Sequence, residues 1–249
     1  MERWVGKTAV VTGASAGIGA AICVSLADAG VCVVGLARRP ERIEALKSQV
    51  RGKGKIVSRK CDVSDPATVA ATFKWIDETF GGVHILINNA GVFYNGGFTD
   101  VGNDMISEKD MLATLDINVK GTMLCARHAV NIMKKRDIAG HVVNINSIAG
   151  HYIPSAPIFN MYPSTKYAVT GFTAGLLNEL VSHKNRTKVT SLSPGLVMTE
   201  LEGVSDYKDM NLPALQPQDV ADAVLYVLST PPSVNIDELT MTSVTEKRL

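Results

Sequence analysis

The sequence predicts an α/β fold in which a doubly wound parallel sheet of about seven strands carries helices on both faces. Short apolar runs, typical of strands buried on both faces, alternate along the whole chain with segments of helical periodicity. Such alternation produces βαβ units with right-handed crossovers. No linker or low-complexity stretch divides the 249 residues, so we expect a single domain over residues 1–249.

Turn residues mark where the elements begin and end. Thr8–Thr12 is an apolar run that ends at Gly13, and the helix Gly17–Ala29 is closed by Gly30. The other predicted strands are Val31–Leu36, Lys55–Lys60, Val83–Ile87, Gly140–Asn146, Lys188–Leu192 and Val234–Met241. The other predicted helices are Glu41–Val50, a helix from the turn Asp62–Pro66 to about Phe80, Glu108–Lys135, Met161–Ser182 and Gln218–Leu228. Thr199–Pro217 is too irregular for a tight turn and is a candidate substrate lid.

The composition argues against several classes of protein. A formal net charge of +1 gives no global field to hold nucleic acid, so we expect no nucleic-acid partner. The four cysteines form no C-x-x-C pair, which favours a reducing, cytoplasmic location and no metal site. No run of about 18 apolar residues predicts a membrane span. The C-terminal Lys247-Arg248-Leu249 is interpreted as a frayed polar tail, and a targeting role is left open.

A glycine-rich loop joins the first strand to the first helix. Its glycines permit a tight turn and a close backbone approach to a pyrophosphate, and the helix N-terminus supplies unpaired N–H groups. An ordinary glycine turn is the alternative, but the position between strand and helix favours a dinucleotide site in a Rossmann fold. The cofactor-binding residues predicted in this loop are Gly13, Ser15, Ala16, Gly17, Ile18 and Gly19.

The end of the second strand indicates which dinucleotide is bound. NAD-binding folds usually place an acidic residue there, whereas this chain has Arg38 and Arg39. Two guanidinium groups suit a 2′-phosphate, so we predict NADP(H), with a solvated basic turn as the alternative. Later strands end at the same edge of the sheet, which predicts contacts with the adenine and ribose. These contacts are assigned to Asp62, Val63, Asn89, Ala90 and Gly91.

Two polar side chains share one face of a predicted helix, because Tyr162 and Lys166 are four residues apart. A free tyrosine has a pKa near 10, and a neighbouring ammonium and a positively charged nicotinamide would lower it enough for acid/base work. Ser147 ends the fifth strand and can hydrogen-bond a substrate oxygen. Asn118 is a misfit inside a helix, where it can open the helix and hold a water that supplies protons to Lys166. Each residue alone is more often a surface or capping residue, whereas together they favour carbonyl–alcohol chemistry.

These motifs resemble the short-chain dehydrogenase/reductase superfamily over the whole chain. The resemblance rests on the glycine-rich loop together with Asn88-Asn89-Ala90-Gly91, Asn118, Ser147, Tyr162-Pro163-Ser164-Thr165-Lys166 and Pro194-Gly195. It implies a catalytic tetrad of Asn118, Ser147, Tyr162 and Lys166. It also implies that Lys166 binds the nicotinamide ribose and that the nicotinamide end contacts Pro194, Gly195, Val197 and Thr199. Members are often tetrameric, so a homo-oligomer, tetramer or dimer, is expected.

A narrower resemblance concerns the substrate. Met1–Trp4 and Gly35–Arg39 are similar to the dehydrogenase/reductase member 11 group, which includes insect farnesol dehydrogenases. That similarity implies a small lipophilic substrate, such as an isoprenoid alcohol, a ketone or a steroid. Apolar residues predicted to line the pocket fit this class: Phe93, Tyr94, Leu196, Met198 and Leu201.

Two alternatives remain open. The first is a 3-oxoacyl thioester reductase of fatty-acid synthesis, which is disfavoured by four acidic residues in the candidate lid, since they would repel an acidic carrier protein. These are Glu200, Glu202, Asp206 and Asp209. The second alternative is an NADPH-binding regulator without turnover, because a fold does not determine a function.

Overall fold

The computed structural model describes residues 1–154, 161–199 and 213–246. Within these residues the strands are β1 Thr8–Thr12, β2 Cys32–Ala37, β3 Lys55–Lys60, β4 Ile85–Asn88, β5 His141–Ile145, β6 Lys188–Pro194 and β7 Glu238–Met241. The helices are α1 Gly17–Asp28, α2 Pro40–Leu46, α3 Pro66–Phe80, α4 Glu108–Leu115, α5 Thr122–Lys135, α6 Met161–Ser182 and α7 Pro217–Ser229. No described helix is both long and apolar enough to cross a membrane.

The described strands form one parallel sheet of seven strands in the order β3-β2-β1-β4-β5-β6-β7. The order reverses between β1 and β4, and the carboxyl ends of the strands on either side of that point form the crevice where such sheets bind ligands. The predicted fold class, a doubly wound parallel sheet, is therefore confirmed.

Alternate residues of each central strand pack into two separate cores. Ala9 and Val11 of β1 face the core beneath α1 and α7, whereas Val10 faces the core beneath α3 and α5. All three side chains are fully buried. This arrangement explains why the strands read as continuous apolar runs without alternation.

Some predicted boundaries are wrong by a few residues. β4 begins at Ile85 and not at Val83, and the helix predicted over Glu41–Val50 is α2 followed by a 3-10 turn, Lys47–Gln49. The last strand is shorter than the predicted Val234–Met241, because the Asn235 side chain replaces the backbone in pairing with β6. Its Oδ1 accepts from Val189 N at 3.1 Å and its Nδ2 donates to Val189 O at 2.9 Å.

The helix predicted over Glu108–Lys135 contains a π-helical turn, Asp116–Gly121, between α4 and α5. Asn118 lies in this turn and is only 2% exposed. π-Helical turns inside α-helices are frequent at functional sites. The helix is thus opened at Asn118, as its polar side chain inside a predicted helix suggested.

Candidate active site

A cavity of about 520 Å³ lies at the carboxyl edge of the sheet. Its wall includes every predicted cofactor-binding residue except Gly19. The residues concerned are Gly13, Ser15, Ala16, Gly17, Ile18, Arg38, Arg39, Asp62, Val63, Asn89, Ala90, Gly91, Tyr162, Lys166, Pro194, Gly195, Val197 and Thr199. Ser147 also lines the cavity, so three of the four predicted catalytic residues, Ser147, Tyr162 and Lys166, share one space with the predicted binding groups.

The glycines of the first loop are required by close backbone packing. Gly13 has a φ of +65°, and a Cβ there would lie 2.8 Å from Ala90 Cα. A Cβ at Gly19 would overlap Gly13 O, so Gly19 acts behind the cavity wall by letting α1 approach the loop. Ala16, at the N-cap of α1, makes no side-chain capping hydrogen bond. This backbone cradle at a helix N-terminus fits a pyrophosphate.

The loop after β4 is fastened to the end of β1 by side chains. Thr12 Oγ1 accepts hydrogen bonds from Asn89 N and Ala90 N, each at 3.0 Å. The Asn89 amide in turn donates to Thr12 O at 2.9 Å and to Gly13 O at 3.2 Å. Through these hydrogen bonds Asn89 holds the loop after β4 against the end of β1 and so fixes the shape of the cavity there.

Asn118 connects the π-helical turn to the neighbouring loop. Its Oδ1 accepts from Val92 N at 2.8 Å, and its Nδ2 donates to Val92 O at 3.0 Å and to Thr165 Oγ1 at 3.1 Å. Its backbone carbonyl accepts from Thr122 Oγ1 at 2.9 Å. Asn118 does not line the cavity, and these contacts position the Val92 loop and the first turn of α6.

Ser147, Tyr162 and Lys166 come together at the ends of β5 and α6. The side chain of Ser147 is hydrogen-bonded to that of Tyr162, and its Oγ also accepts from Ala149 N at 3.1 Å. Lys166 Nζ lies 5.5 Å from the centre of the Tyr162 ring and donates to Ile145 O at 3.0 Å. The Phe93 ring meets the edge of Tyr162 with centroids 5.3 Å apart. A hydroxyl pair beside an ammonium can deliver a proton to a substrate oxygen.

A sequence model described as short chain dehydrogenase matches residues 7–209. The chain belongs to that family. It is 47% identical to a farnesol dehydrogenase of Aedes aegypti over 99% of this chain and 100% of that protein. It is 38% identical to the mouse dehydrogenase/reductase SDR family member 11 over 97% of this chain and 95% of that one. The predicted resemblance to these relatives is confirmed.

Among solved structures, this short-chain dehydrogenase resembles the closed form of a serine dehydrogenase complexed with NADP+. The two chains share 32% identity, each is covered over 96% of its length, and the TM-score is 0.84. The prediction that this chain is an enzyme, an oxidoreductase of the short-chain type, is confirmed by its family.

Burial dominates the electrostatics of Tyr162 and Lys166. Burial raises the pKa of Tyr162 to about 12, and the hydrogen bond with Ser147 opposes that rise only in part. Burial also lowers the pKa of Lys166 to about 8. Burial thus disfavours the charged forms of both residues, and a lowering of the Tyr162 pKa by the Lys166 ammonium together with a positively charged nicotinamide stays a prediction.

The buried ammonium makes Lys166 a destabilising residue at neutral pH. Its pKa is lowered from 10.5 to about 8, so the buried ammonium destabilises the folded state by the full amount below pH 8. This destabilisation disappears as the pH rises towards 10.5. We expect Lys166→Met to stabilise the fold at pH 7 by at most about 3 kcal/mol, less about 1 kcal/mol for the lost bond to Ile145 O.

Thermal melting at pH 7 and pH 10.5 measures this effect. The gain in melting temperature should be present at pH 7 and absent at the higher pH, whereas Lys134→Met, at an exposed position of α5, should change neither. A gain of equal size at both pH values would contradict the assignment of the cost to a buried charge.

Parts of the cavity wall carry no signal in the sequence. Leu36 lies in β2, Cys61 directly follows β3 and Ile117 lies in the π-helical turn, and none of them belongs to a motif that predicts a site. Glu246 comes from the C-terminal segment, which carries no motif either. The acidic lid residues 200, 202, 206 and 209, the pocket residue Leu201 and the terminal Lys247-Arg248-Leu249 lie outside the described residues. Thr199 and residues 213–217 are the described parts of the candidate lid.

Proposed function

We propose that this short-chain dehydrogenase is NADP(H)-dependent and transfers a hydride between nicotinamide and an alcohol or carbonyl carbon of a lipophilic substrate. The observation that carries the proposal is the shared cavity, which has a glycine cradle and two arginines at one end and Ser147, Tyr162 and Lys166 at the other. NADP(H), when bound, supplies or accepts the hydride. Its binding is supported by the NADP+ complex of the serine dehydrogenase.

The chain's own residues hold the cofactor by complementary charges and dipoles. Backbone N–H groups of the Gly13–Ile18 loop face the pyrophosphate, and Arg38 and Arg39 pair with the 2′-phosphate. Lys166 binds the nicotinamide ribose, and the segment Pro194–Thr199 contacts the nicotinamide end.

Tyr162 is the proposed acid/base. Its raised pKa keeps the phenol protonated at neutral pH, so in carbonyl reduction it is ready to donate its proton to the substrate oxygen. In alcohol oxidation Tyr162 accepts the proton, and the Lys166 ammonium and a positively charged nicotinamide favour the phenolate. Ser147 orients the substrate oxygen by a hydrogen bond. Asn118 is the fourth member of the set and acts by positioning, since it lies behind the cavity wall.

The proposal of a lipophilic substrate is supported by the apolar residues of the cavity wall. Phe93, Ile148, Tyr152, Pro154 and Leu196 line the cavity near Ser147 and Tyr162, and most of their surface is apolar. The farnesol dehydrogenase relative supports an isoprenoid alcohol as the first substrate to test. A ketone or a steroid belongs to the same apolar class.

The proposal is tested by titrating the purified protein with NADPH and NADH, followed by a substrate panel. The panel contains farnesol, a steroid, apolar ketones, serine and a 3-oxoacyl thioester. We expect NADPH-dependent turnover of the apolar substrates only. Turnover of the thioester alone would favour the fatty-acid reductase, and tight NADPH binding without turnover would favour a regulator.

We also propose that the protein is a homo-oligomer, a tetramer or a dimer, in a reducing compartment such as the cytoplasm. Leu112 of α4, Met123 of α5 and Tyr167 of α6 are 54%, 38% and 43% exposed, and apolar surface on adjacent helices favours association. Light scattering after size-exclusion chromatography is expected to give a mass of two or four chains. A single-chain mass at micromolar concentration would contradict this proposal.

A further inference from the structure

A carboxylate from the C-terminal segment lies in the wall of the active-site cavity. Glu246 lines the same space as Tyr162, Lys166 and the segment Pro194–Thr199. Among the described residues, the other charged members of that wall are Arg38 and Arg39 directly after β2, Asp62 after β3, and Lys166 on α6. Among the described residues, Glu246 is therefore the acidic group at the end of the cavity formed by β6, and the proposed proton chemistry does not use it.

The carboxylate is held in one place by backbone groups. Glu246 Oε1 accepts from Leu196 N at 2.9 Å, and Oε2 accepts from Ser243 N at 3.3 Å. The segment that it binds is itself fixed, because Gly195 N donates to Met241 O at 2.8 Å and Met198 N donates to Leu215 O at 2.9 Å. A fixed charge on a fixed wall acts on a ligand without first having to reorganise.

Gly195 makes the space that the carboxylate occupies. A Cβ at this position would overlap both carboxylate oxygens of Glu246. The backbone of Gly195 needs no left-handed conformation, since its φ is not among the positive values. A side chain at position 195 would therefore have to displace the Glu246 carboxylate.

We infer that the charge of Glu246 determines how much more tightly the enzyme binds the oxidised cofactor than the reduced cofactor. The inference rests on the proposed function, in which Pro194–Thr199 contacts the nicotinamide end. The oxidised nicotinamide ring carries a positive charge and the reduced ring carries none, so a carboxylate beside it stabilises NADP+ and leaves NADPH nearly unaffected. In the bound state this selectivity shifts the equilibrium towards NADP+ and the alcohol, so it favours carbonyl reduction over alcohol oxidation.

The test is the affinity of the free enzyme for each redox form, measured by calorimetry for NADP+ and by fluorescence titration for NADPH. In Glu246→Gln, which keeps the shape and one acceptor, the Kd for NADP+ should rise roughly tenfold while that for NADPH changes less than about twofold. Glu246→Asp keeps the charge and should keep most of the preference. Glu179→Gln removes an exposed carboxylate from α6 and should change neither Kd.

The outcomes separate the inference from the function on which it rests. If the wild-type protein binds neither NADP+ nor NADPH, the proposed function is wrong. If the wild type binds both and Glu246→Gln weakens both equally, or neither, Glu246 has a merely structural role and the inference is overturned. Thermal melting of each variant checks that it is folded. Glu246→Ala is a second variant without the charge, and its Kd values for NADP+ and NADPH are measured in the same way.

Discussion

Replacing Tyr162 with phenylalanine is expected to lower turnover by roughly 10²–10⁴-fold, because general acid/base catalysis by one positioned side chain contributes about that factor. The ring remains, so the edge contact with Phe93, at 5.3 Å between centroids, should survive. The Kd for NADPH should change by less than about threefold, since the phenol is proposed to act on the substrate oxygen. Steady-state turnover with the best substrate and fluorescence titration with NADPH measure the two quantities.

Tyr167→Phe is the matched control for this variant. Tyr167 lies on the same helix but is 43% exposed and does not line the cavity. The Tyr167→Phe variant also loses one phenol hydroxyl group, and we expect its turnover to stay within about twofold of the wild type. If Tyr162→Phe retained most of the wild-type turnover, the acid/base assignment would be wrong whatever the cofactor affinity.

Local sequence signals were sufficient for the parts of this site that depend on backbone conformation. The loop containing Gly13 and Gly17 is predictable because glycine is the residue type that adopts a positive φ without strain. In the structure the two residues have φ values of 65° and 53°. Asn118 was identifiable because an asparagine competes with the backbone inside a helix, and the structure has a π-helical turn there. In both cases the residue type reports its own local geometry.

Features that depend on distant parts of the chain could not be read in this way. Glu246 approaches Gly195 only because β7 lies beside β6, and no spacing in the sequence reveals that contact. The Asn235 amide that shortens β7 pairs with Val189 across the sheet, and its residue type suggests only a turn. The raised pKa of Tyr162 has the same origin, because burial depends on the whole cavity and the spacing to Lys166 does not determine it.

The charge of the cofactor's 2′-phosphate leads to the second large effect. Arg38 and Arg39 are exposed residues of the cavity wall that directly follow β2. A double substitution of both arginines by alanine is expected to weaken NADPH binding by roughly 10²–10³-fold, since each charge-assisted hydrogen bond contributes about 1.5–3 kcal/mol. NADH lacks the phosphate, so its affinity should change by less than about threefold, and the preference for NADPH should disappear.

Salt distinguishes this explanation from a general loss of positive charge. In the wild type, raising the ionic strength should weaken NADPH binding more than NADH binding, and in the double variant the two cofactors should respond alike. Arg51→Ala, which removes an exposed arginine outside the cavity wall, should leave both affinities near the wild-type values. Equal losses for NADPH and NADH in the double variant would mean that the arginines support the fold of the β2 loop, and the dinucleotide preference would then have to come from another part of the cavity.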